Sequence, residues 1–319
     1  MPTVVNKTIK TAGGDYATMN ALAADVKNLV ALDEQWDVEC DNFEDTAGPV
    51  VFTGWTTDAT RFLRIKESTR HLSGGVVNTA GYRLVRNGNC IDVRNMGASG
   101  LIIFEGIQFK NTNVAATAIL ATANGGNTCT LRLIDVVCQS SNVGLDIQTT
   151  NALDIIKGAF NCDGPAIIRQ FSVCNLYAVV AIAKNANQHA INMGLNNATR
   201  TVFNCYARPG PGGAGLAYNG AGIVMSGAAS SDATGSAGLQ NIAYTTANFI
   251  NVTAGSEDLH LTATSALVNV GASRAALGAP FNYTTDMDGD PMPPAAAADD
   301  IGFDELAAAG GSALYVLGT

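Results

Sequence analysis

Long apolar runs are missing from this chain, and so is an export signal. No window approaches the ~18 consecutive apolar residues that a membrane-spanning helix needs. The first residues, MPTVVNKT, contain no apolar h-region of the kind that secretory signals carry. We therefore expect a protein that is made in the cytoplasm and that has no membrane partner.

Positive charge is also scarce. Charged residues make up 14% of the chain, the net charge is −9 and the pI is about 4.7. No Lys or Arg follows Arg274, whereas seven acidic residues do: Asp286, Asp288, Asp290, Asp299, Asp300, Asp304 and Glu305. Because phosphate binding requires clustered Lys and Arg, the composition argues against a nucleic-acid partner.

Aromatic residues and paired cysteines are further scarcities. Aromatics make up 7% of the chain, less than a large globular core usually recruits, whereas 34 glycines indicate many turns. The seven cysteines are an odd number and include no CxxC pair. Cys138, Cys174 and Cys205 fall on predicted inward strand positions. We interpret them as small buried hydrophobes rather than disulfide partners or metal ligands, which suits a reducing cytoplasm.

Short apolar β segments, each closed by Asn, Gly or Ser, fill residues 101–224. The steps between segments are 29, 23, 18 and 29 residues if these positions are equivalent: Gly106, Asp135, Gly158, Leu176 and Cys205. Irregular steps of this size are typical of a parallel β-helix, in which coils stack and loops absorb differences in length. The predicted interior stack consists of Ile107, Val136, Phe160, Leu176 and Cys205.

Residues 15–31 carry apolar side chains at helical spacing, after the breaker and cap signal Gly13-Gly14-Asp15. An amphipathic helix here would close the first coil, because an open solenoid end exposes apolar side chains and backbone edges. The residues predicted to lie against that coil are Met19, Leu22, Val26 and Leu29. The predicted organisation is one continuous solenoid domain in three sections: an N-terminal cap (1–34), β-helix coils (35–238), and C-terminal coils, a turn motif and a tail (239–319).

Four motifs follow one another near the C-terminus: DLHL (258–261), SALVNVGA (265–272), TTDMDGDPMP (284–293) and DDIGFDE (299–305). This series resembles the end of right-handed parallel β-helix repeat proteins of the pectin-lyase-like superfamily, although Met292 stands where a basic residue is usual. The front segments TAGGDYATMNALAADV and GWTTDATRFLRIKESTRH are similar to β-helix proteins among bacteriophage and prophage structural genes. The resemblance implies an all-β fold, a right-handed parallel β-helix with a short N-terminal capping helix.

The resemblance also implies which residues a polysaccharide-degrading member would carry. Lyases use Asp carboxylates around calcium with an Arg or Lys base, and hydrolases use clustered Asp with Gly-His-Gly and Arg-Ile-Lys elements. Arg64-Ile65-Lys66 is present, but it lies in an early strand far ahead of any Asp cluster.

No Gly-His-Gly element exists, and the three histidines lie in unrelated contexts: His71, His189 and His260. The central strands offer a sparse charged set: Glu105, Asp135, Asp154 and Lys157. These residues do not define paired carboxylates at a set separation. We therefore predict no enzyme, no catalytic residue and no cofactor-binding residue.

One acidic turn is a candidate calcium site. Asp286, Asp288 and Asp290 alternate around Gly289, as ligands do in oxygen-rich calcium loops, but the distal Glu of a complete EF-hand loop is missing. A plain turn before Pro291 accounts for the same residues. The pattern favours the turn and leaves calcium as the one candidate metal.

The resemblance and the missing catalytic set favour a non-enzymatic structural protein of a tailed-bacteriophage virion, such as a capsid decoration or another particle-surface β-helix. We expect a homotrimer, made in the host cytoplasm, in contact with virion proteins such as the major capsid protein. Two alternatives stay open. One is a tailspike-type adhesin or depolymerase that binds a surface glycan, although Trp36 and Trp55 are the only tryptophans. The other is a secreted polysaccharide lyase or hydrolase.

Overall fold

The computed structural model describes residues 1–67, 74–97, 99–122, 129–148, 152–169, 173–194 and 199–306. Two short helices lie near the N-terminus, α1 (Met19–Ala24) and α2 (Leu29–Leu32), and a 3-10 turn covers Arg274–Ala276. Within these residues, no helix has the length and apolar character to cross a membrane.

Strands make up most of the regular structure. The first eleven are β1 (Thr3–Ile9), β2 (Glu34–Cys40), β3 (Glu44–Asp45), β4 (Val50–Phe52), β5 (Leu63–Glu67), β6 (Arg83–Arg86), β7 (Ile91–Arg94), β8 (Gly100–Glu105), β9 (Gln108–Asn111), β10 (Ile119–Thr122) and β11 (Cys129–Ser140). Those that follow are β12 (Leu145–Gln148), β13 (Ala152–Cys162), β14 (Ile167–Arg169), β15 (Cys174–Ala183), β16 (Ile191–Asn192), β17 (Arg200–Phe203), β18 (Tyr206–Arg208), β19 (Tyr218–Asn219), β20 (Ile223–Ser226), β21 (Ala229–Ser230), β22 (Phe249–Asn251) and β23 (Asp258–Leu261).

The strands up to β21 form parallel ladders on three faces. Sheet 1 contains β4, β7, β10, β12, β14, β16 and β19. A fourteen-stranded sheet covers the other two faces, because β11, β13 and β15 each belong to both. We name its halves sheet 2 (β1, β2, β5, β8, the first halves of β11, β13 and β15, then β17 and β20) and sheet 3 (β3, β6, β9, the second halves, then β18 and β21). The chain visits the three faces in turn and returns one coil further on, so the all-β parallel β-helix is confirmed.

The corner between sheets 2 and 3 is a single left-handed residue in each coil. Asp135, Lys157 and Ala178 have φ of 53°, 56° and 53°. Each interrupts the period-two alternation of its strand, so the residues two before and one after it both face inward. The aligned corner positions are Gly106, Asp135, Lys157, Ala178, Asn204 and Gly227. The predicted equivalence of Gly158, Leu176 and Cys205 is therefore wrong by one or two residues, because apolar alternation alone does not reveal a left-handed corner.

The interior of the coils is a continuous apolar core. All five predicted interior residues are fully buried in it. Ile107, Val136 and Cys205 share the column next to the corner, as predicted. The other two belong to different columns: Leu176 stacks with Leu133, Ile155 and Val202 in sheet 2, and Phe160 stacks with Cys138 and Ala181 in sheet 3. All seven cysteines are buried, as predicted for Cys138, Cys174 and Cys205, and no disulfide joins them.

The N-terminal cap is two helices rather than one. Met19, Leu22 and Leu29 are fully buried against the core, as predicted, but Val26 lies in the connection and is 45% exposed. The helix breaks there because the Asn28 side chain caps α2, and because Leu29 N–H and Thr56 N–H form backbone hydrogen bonds that tie the connection to the coil. Strand β1 precedes both helices and pairs with β2, so the parallel ladder already begins at Thr3.

Residues 239–306 do not continue the coils. Within the described chain they add no strand to the three faces, in place of the further coils expected from the sequence, and β22 and β23 pair with each other in antiparallel fashion. We name residues 239–306 the C-terminal cover. It packs on outward apolar side chains of the later coils, including Val180 and Tyr206 on sheet 3 and Tyr177 and Phe203 on sheet 2. Those side chains would otherwise be exposed, which is the physical reason for the fold-back. The predicted tail beyond residue 306 lies outside the described residues.

Replacing Val136 by Asp tests the interior register. Val136 is fully buried, so an unpaired carboxylate there should lower the free energy of unfolding by on the order of 3–5 kcal/mol. Urea unfolding followed by circular dichroism measures the change. The control is Val114→Asp, because Val114 is 78% exposed in the connection between β9 and β10 and should change stability by less than about 0.5 kcal/mol. Equal stability of the two variants would contradict the register.

Candidate functional site

The four charged residues that the sequence singled out in the central strands form ion pairs between coils: Glu105, Asp135, Asp154 and Lys157. Arg64 Nε donates to Glu105 Oε2 at 2.8 Å, and its Nη1 lies 3.8 Å from Asp37 Oδ2. Two coils further along, Arg132 Nη2 lies 3.0 Å from Asp154 Oδ2. Asn175 Nδ2 donates to the other oxygen of Asp154 at 2.9 Å. The Arg-Ile-Lys element and Asp154 are therefore parts of a polar ladder on the outer face of sheet 2.

Two corner residues link the β-helix to its cover. Lys157 Nζ lies 2.8 Å from Asp135 Oδ1 on the preceding coil and donates to the Asp286 carbonyl at 3.1 Å. The Lys157 residue is only 4% exposed, so this ammonium is satisfied inside the protein. Its position indicates a structural role: it attaches the 286–290 turn to the β-helix.

The histidines lie in separate places. His189 Nδ1 accepts a hydrogen bond from Leu216 N–H at 2.9 Å, and its Nε2 lies 3.4 Å from the amide nitrogen of Asn219 on sheet 1. His71 lies outside the described residues. His260 is in β23 of the C-terminal cover.

The candidate calcium residues do not point to a common centre. Asp286 is buried, and its carboxylate accepts from Asp290 N–H at 2.8 Å and from Glu305 N–H at 3.4 Å. Asp290 is exposed, whereas Asp288 Oδ2 lies 2.5 Å from His260 Nε2. This is the geometry of a side-chain-stabilised turn, and binding of calcium by the three residues stays a prediction.

His260 sits at the centre of a carboxylate cluster. Its Nδ1 is 2.5 Å from Asp258 Oδ1, its Nε2 is 2.5 Å from Asp288 Oδ2, and its ring meets Phe303 edge-on. Ligand atoms of His260, Asp288 and Asp304 all lie within 4.8 Å of one another. Burial lowers the pKa of His260, but the hydrogen bond to Asp288 and the neighbouring carboxylates outweigh it and raise the pKa to about 9.

Other buried acids of the cover accept backbone N–H groups. Asp304 accepts from Leu261 at 2.7 Å, Asp300 from Asn269 at 2.5 Å and from Leu306 at 2.9 Å, and Glu305 from Asp300 at 2.8 Å. Burial raises the pKa of Asp304 to about 6 and that of Glu305 to about 8, against the effect of these hydrogen bonds. The C-terminal motifs thus hold irregular backbone together with side-chain carboxylates.

Asn204 and Arg274 join the cover to the last coils. Asn204 is a buried corner residue whose amide nitrogen donates to Ala272 O at 2.8 Å and whose amide oxygen accepts from Ala272 N–H at 2.6 Å. The same amide nitrogen donates to Asp299 Oδ2 at 3.2 Å. Arg274 Nε donates to Asp299 Oδ2 at 2.8 Å, and its other nitrogens donate to the carbonyls of Tyr283 and Pro293. Both members of this ion pair are almost fully buried.

A furrow runs along the outer face of sheet 3. It consists of three depressions that share residues, Lys110 between the first two and Lys184 between the last two, and we name it the sheet 3 groove. One register column forms much of its floor: Val85, Lys110, Gln139, Asn161, Ile182 and Arg208. Five steps of about 4.8 Å separate these six coils, so the column is roughly 24 Å long.

The groove combines amide, hydroxyl, charged and aromatic groups. The depression that contains Tyr244 has a volume of about 370 Å³. The Arg208 guanidinium lies 5.0 Å from the centre of the Tyr244 ring. Lys184 pairs with buried Glu257 at 2.9 Å. Lys110 and Arg208 form no ion pair with a described residue, so their charges face the groove. Such a surface can bind an extended polar chain along the rod axis.

No family model, curated protein or solved structure matches this chain. The function is therefore inferred from the geometry of the described residues. Sequence reasoning missed the groove, because its residues come from six separate coils and share no motif. It also missed the approach of His260 to Asp288 and Asp304, although the order of the DLHL, DMDGD and DDIGFDE motifs was the available signal.

Replacing Arg274 by Leu tests the attachment of the cover. It leaves Asp299 buried without its cation, which should cost on the order of 3–5 kcal/mol. The readouts are thermal unfolding and limited proteolysis, with cleavage expected first between residues 239 and 306. The control is Arg61→Leu, because Arg61 pairs at the surface with exposed Asp33 and half-buried Asp58 and its loss should cost less than about 1 kcal/mol. A cover that resists protease equally in both variants would show that this ion pair does not hold it.

Proposed function

We propose that this chain is a non-enzymatic structural protein of a tailed-bacteriophage particle, a β-helix of the pectin-lyase-like kind that decorates or builds the particle surface. It acts as a homotrimer in contact with other virion proteins, such as the major capsid protein. The host cytoplasm is its site of synthesis.

The observation that carries this proposal is the use of charge along the rod. Several charged residues of the central strands form ion pairs between neighbouring coils, as Arg64 does with Glu105 and Arg132 with Asp154. Pairing of this kind stiffens a stack of coils, and a stiff, extended surface is what solenoids offer to binding partners. A particle component needs such a surface and needs no catalytic centre.

The two end strands of sheet 2 support an assembly role. β20 pairs on one side only among the described strands, and the second edge of β1 is covered only near Thr8 and Ile9, by Asp15 and Tyr16. Each strand therefore leaves backbone groups open. Val4 on β1 is 51% exposed and Val224 on β20 is 60% exposed. Open edges with apolar side chains favour contact with another chain.

Particle composition and mass test the proposal. Mass spectrometry of purified particles of the source phage should find this chain at a reproducible copy number. Sedimentation of the isolated protein should give three times the 32.9 kDa chain mass. A protein that is monomeric at all concentrations and is missing from particles would reject both the trimer and the virion role.

Glycan binding is a second candidate function, and the sheet 3 groove is the observation that favours it. Lys110 and Arg208 can meet the carboxylates of an acidic glycan, while Gln139 can hydrogen-bond hydroxyls. Tyr244 lines the groove with Arg208 over one face of its ring, and the rest of the ring can contact a sugar. Several weak contacts along roughly 24 Å would add up to useful affinity.

The double variant Lys110→Gln/Arg208→Gln tests this candidate. Its binding, and that of the wild type, is measured on surfaces that carry acidic polysaccharides or neutral dextran. Loss of the two charges should weaken binding of acidic chains at least about tenfold, and added salt should weaken the wild type in the same way. The control is Lys10→Gln/Arg61→Gln, which removes the same charges far from the groove. Equal binding by both double variants, or no binding by the wild type, would reject the groove as a glycan site.

A further inference from the structure

The surroundings of His260 hold more negative charge than its ring can balance. Asp258 and Asp288 contact its two nitrogens, and Asp304, 8% exposed, lies next to them. Buried Asp286 belongs to the same turn as Asp288. A protonated imidazole offsets one of these carboxylates, and partly buried carboxylates without a counter-charge are unfavourable.

The three groups with converging ligand atoms come from separate parts of the cover. His260 is in β23, Asp288 is in the 286–290 turn, and Asp304 is in the closing 299–306 segment. Their ligand atoms lie within 4.8 Å of one another. A cation bound to all three would cross-link the C-terminal cover at the point where its irregular segments meet.

The neighbouring contacts orient these groups in the way that metal sites require. Asp304 Oδ2 is held by Leu261 N–H at 2.7 Å. Asp288 Oδ1 is buried and has no hydrogen-bond partner among the described residues. Asp258 receives the Nδ1 side of the His260 ring, which leaves Nε2 facing Asp288. A carboxylate behind a ligating histidine is the usual second-layer arrangement around protein-bound metals.

We infer that His260 Nε2, Asp288 and Asp304 bind a divalent transition-metal ion of the zinc or manganese class, with Asp258 orienting the imidazole. One imidazole nitrogen and two carboxylates suit such ions, whereas calcium favours ligand sets made of oxygen alone. The ion offsets the charge of the cluster and cross-links three segments of the C-terminal cover. This site differs from the calcium loop predicted at Asp286, Asp288 and Asp290, because it uses a histidine and leaves Asp290 out.

Metal binding by the full chain tests the inference. The protein is stripped with a chelator, then titrated with Zn²⁺, Mn²⁺ or Ca²⁺ by calorimetry, and its retained metal is counted by plasma mass spectrometry. We expect one Zn²⁺ or Mn²⁺ per chain and a rise in Tm of about 3 °C or more at saturation. His260→Gln and Asp304→Asn should each weaken binding at least about tenfold.

Matched controls separate this site from the alternatives. Asp290→Asn removes an exposed carboxylate of the same turn, and His189→Gln removes a histidine elsewhere, so both should bind metal as the wild type does. If the protein binds only calcium, and Asp290→Asn abolishes that binding, the inferred site is wrong and the 286–290 turn is the metal site. Lack of binding by the wild type, or unchanged binding by His260→Gln, would overturn the inference.

A measurement on the wild type covers the case in which the His260 variant does not fold. Electron spin-echo spectroscopy of bound Mn²⁺ detects a directly coordinated imidazole nitrogen. A nitrogen signal supports the site, and a manganese spectrum without that signal rejects it.

Discussion

Parallel pairing between successive coils is the constraint on which the rest of this structure depends. Because strands on each face pair residue over residue, a position in one coil lies directly above the same position in the next. Inward positions therefore form columns of Leu, Ile, Val, Ala and Cys, and a narrow core needs few aromatics. The corner residues obey the same rule, and their left-handed conformation recurs in every coil from Gly106 to Gly227.

The outer columns explain where the C-terminal cover lies. One column of sheet 2 begins with charged residues, Glu39, Lys66 and Glu105, and continues with Ile156, Tyr177 and Phe203. The charged part is solvated, whereas the apolar part packs against the cover, where Tyr177 stacks on Phe281 at 4.4 Å. The hydrophobic effect thus turns the chain back over its own later coils instead of letting the ladder continue.

The cover has little regular structure, so side chains rather than neighbouring strands accept many of its backbone hydrogen bonds. Carboxylates of Asp286, Asp300 and Asp304 accept backbone N–H groups that have no strand partner. This solution concentrates negative charge in a region whose sequence contains no Lys or Arg after Arg274. Arg274, Lys157 from the β-helix and His260 offset part of this charge, which makes these three residues important for the stability of the cover.

Much of the architecture could be predicted from the amino-acid sequence. The Asn- and Gly-closed β segments predicted the parallel β-helix, and the helical spacing of Met19, Leu22 and Leu29 predicted their burial at the N-terminal end. The register was harder, because Asp135, Lys157 and Ala178 adopt a left-handed conformation that their residue types do not announce. The acidic motif predicted the turn at 286–290, but its pattern could not reveal the contact between Asp288 and His260.

By itself, then, the sequence determined the fold class, the burial of its cysteines and the turn chemistry of its C-terminal motifs, since these follow from local periodicity and residue preference. Tertiary structure alone decided the fold-back of residues 239–306, the sheet 3 groove and the cluster around His260. Each of these depends on contacts between residues that are 20 or more positions apart in the sequence. Such meetings follow from the lengths and paths of the coils and loops, which local patterns do not encode.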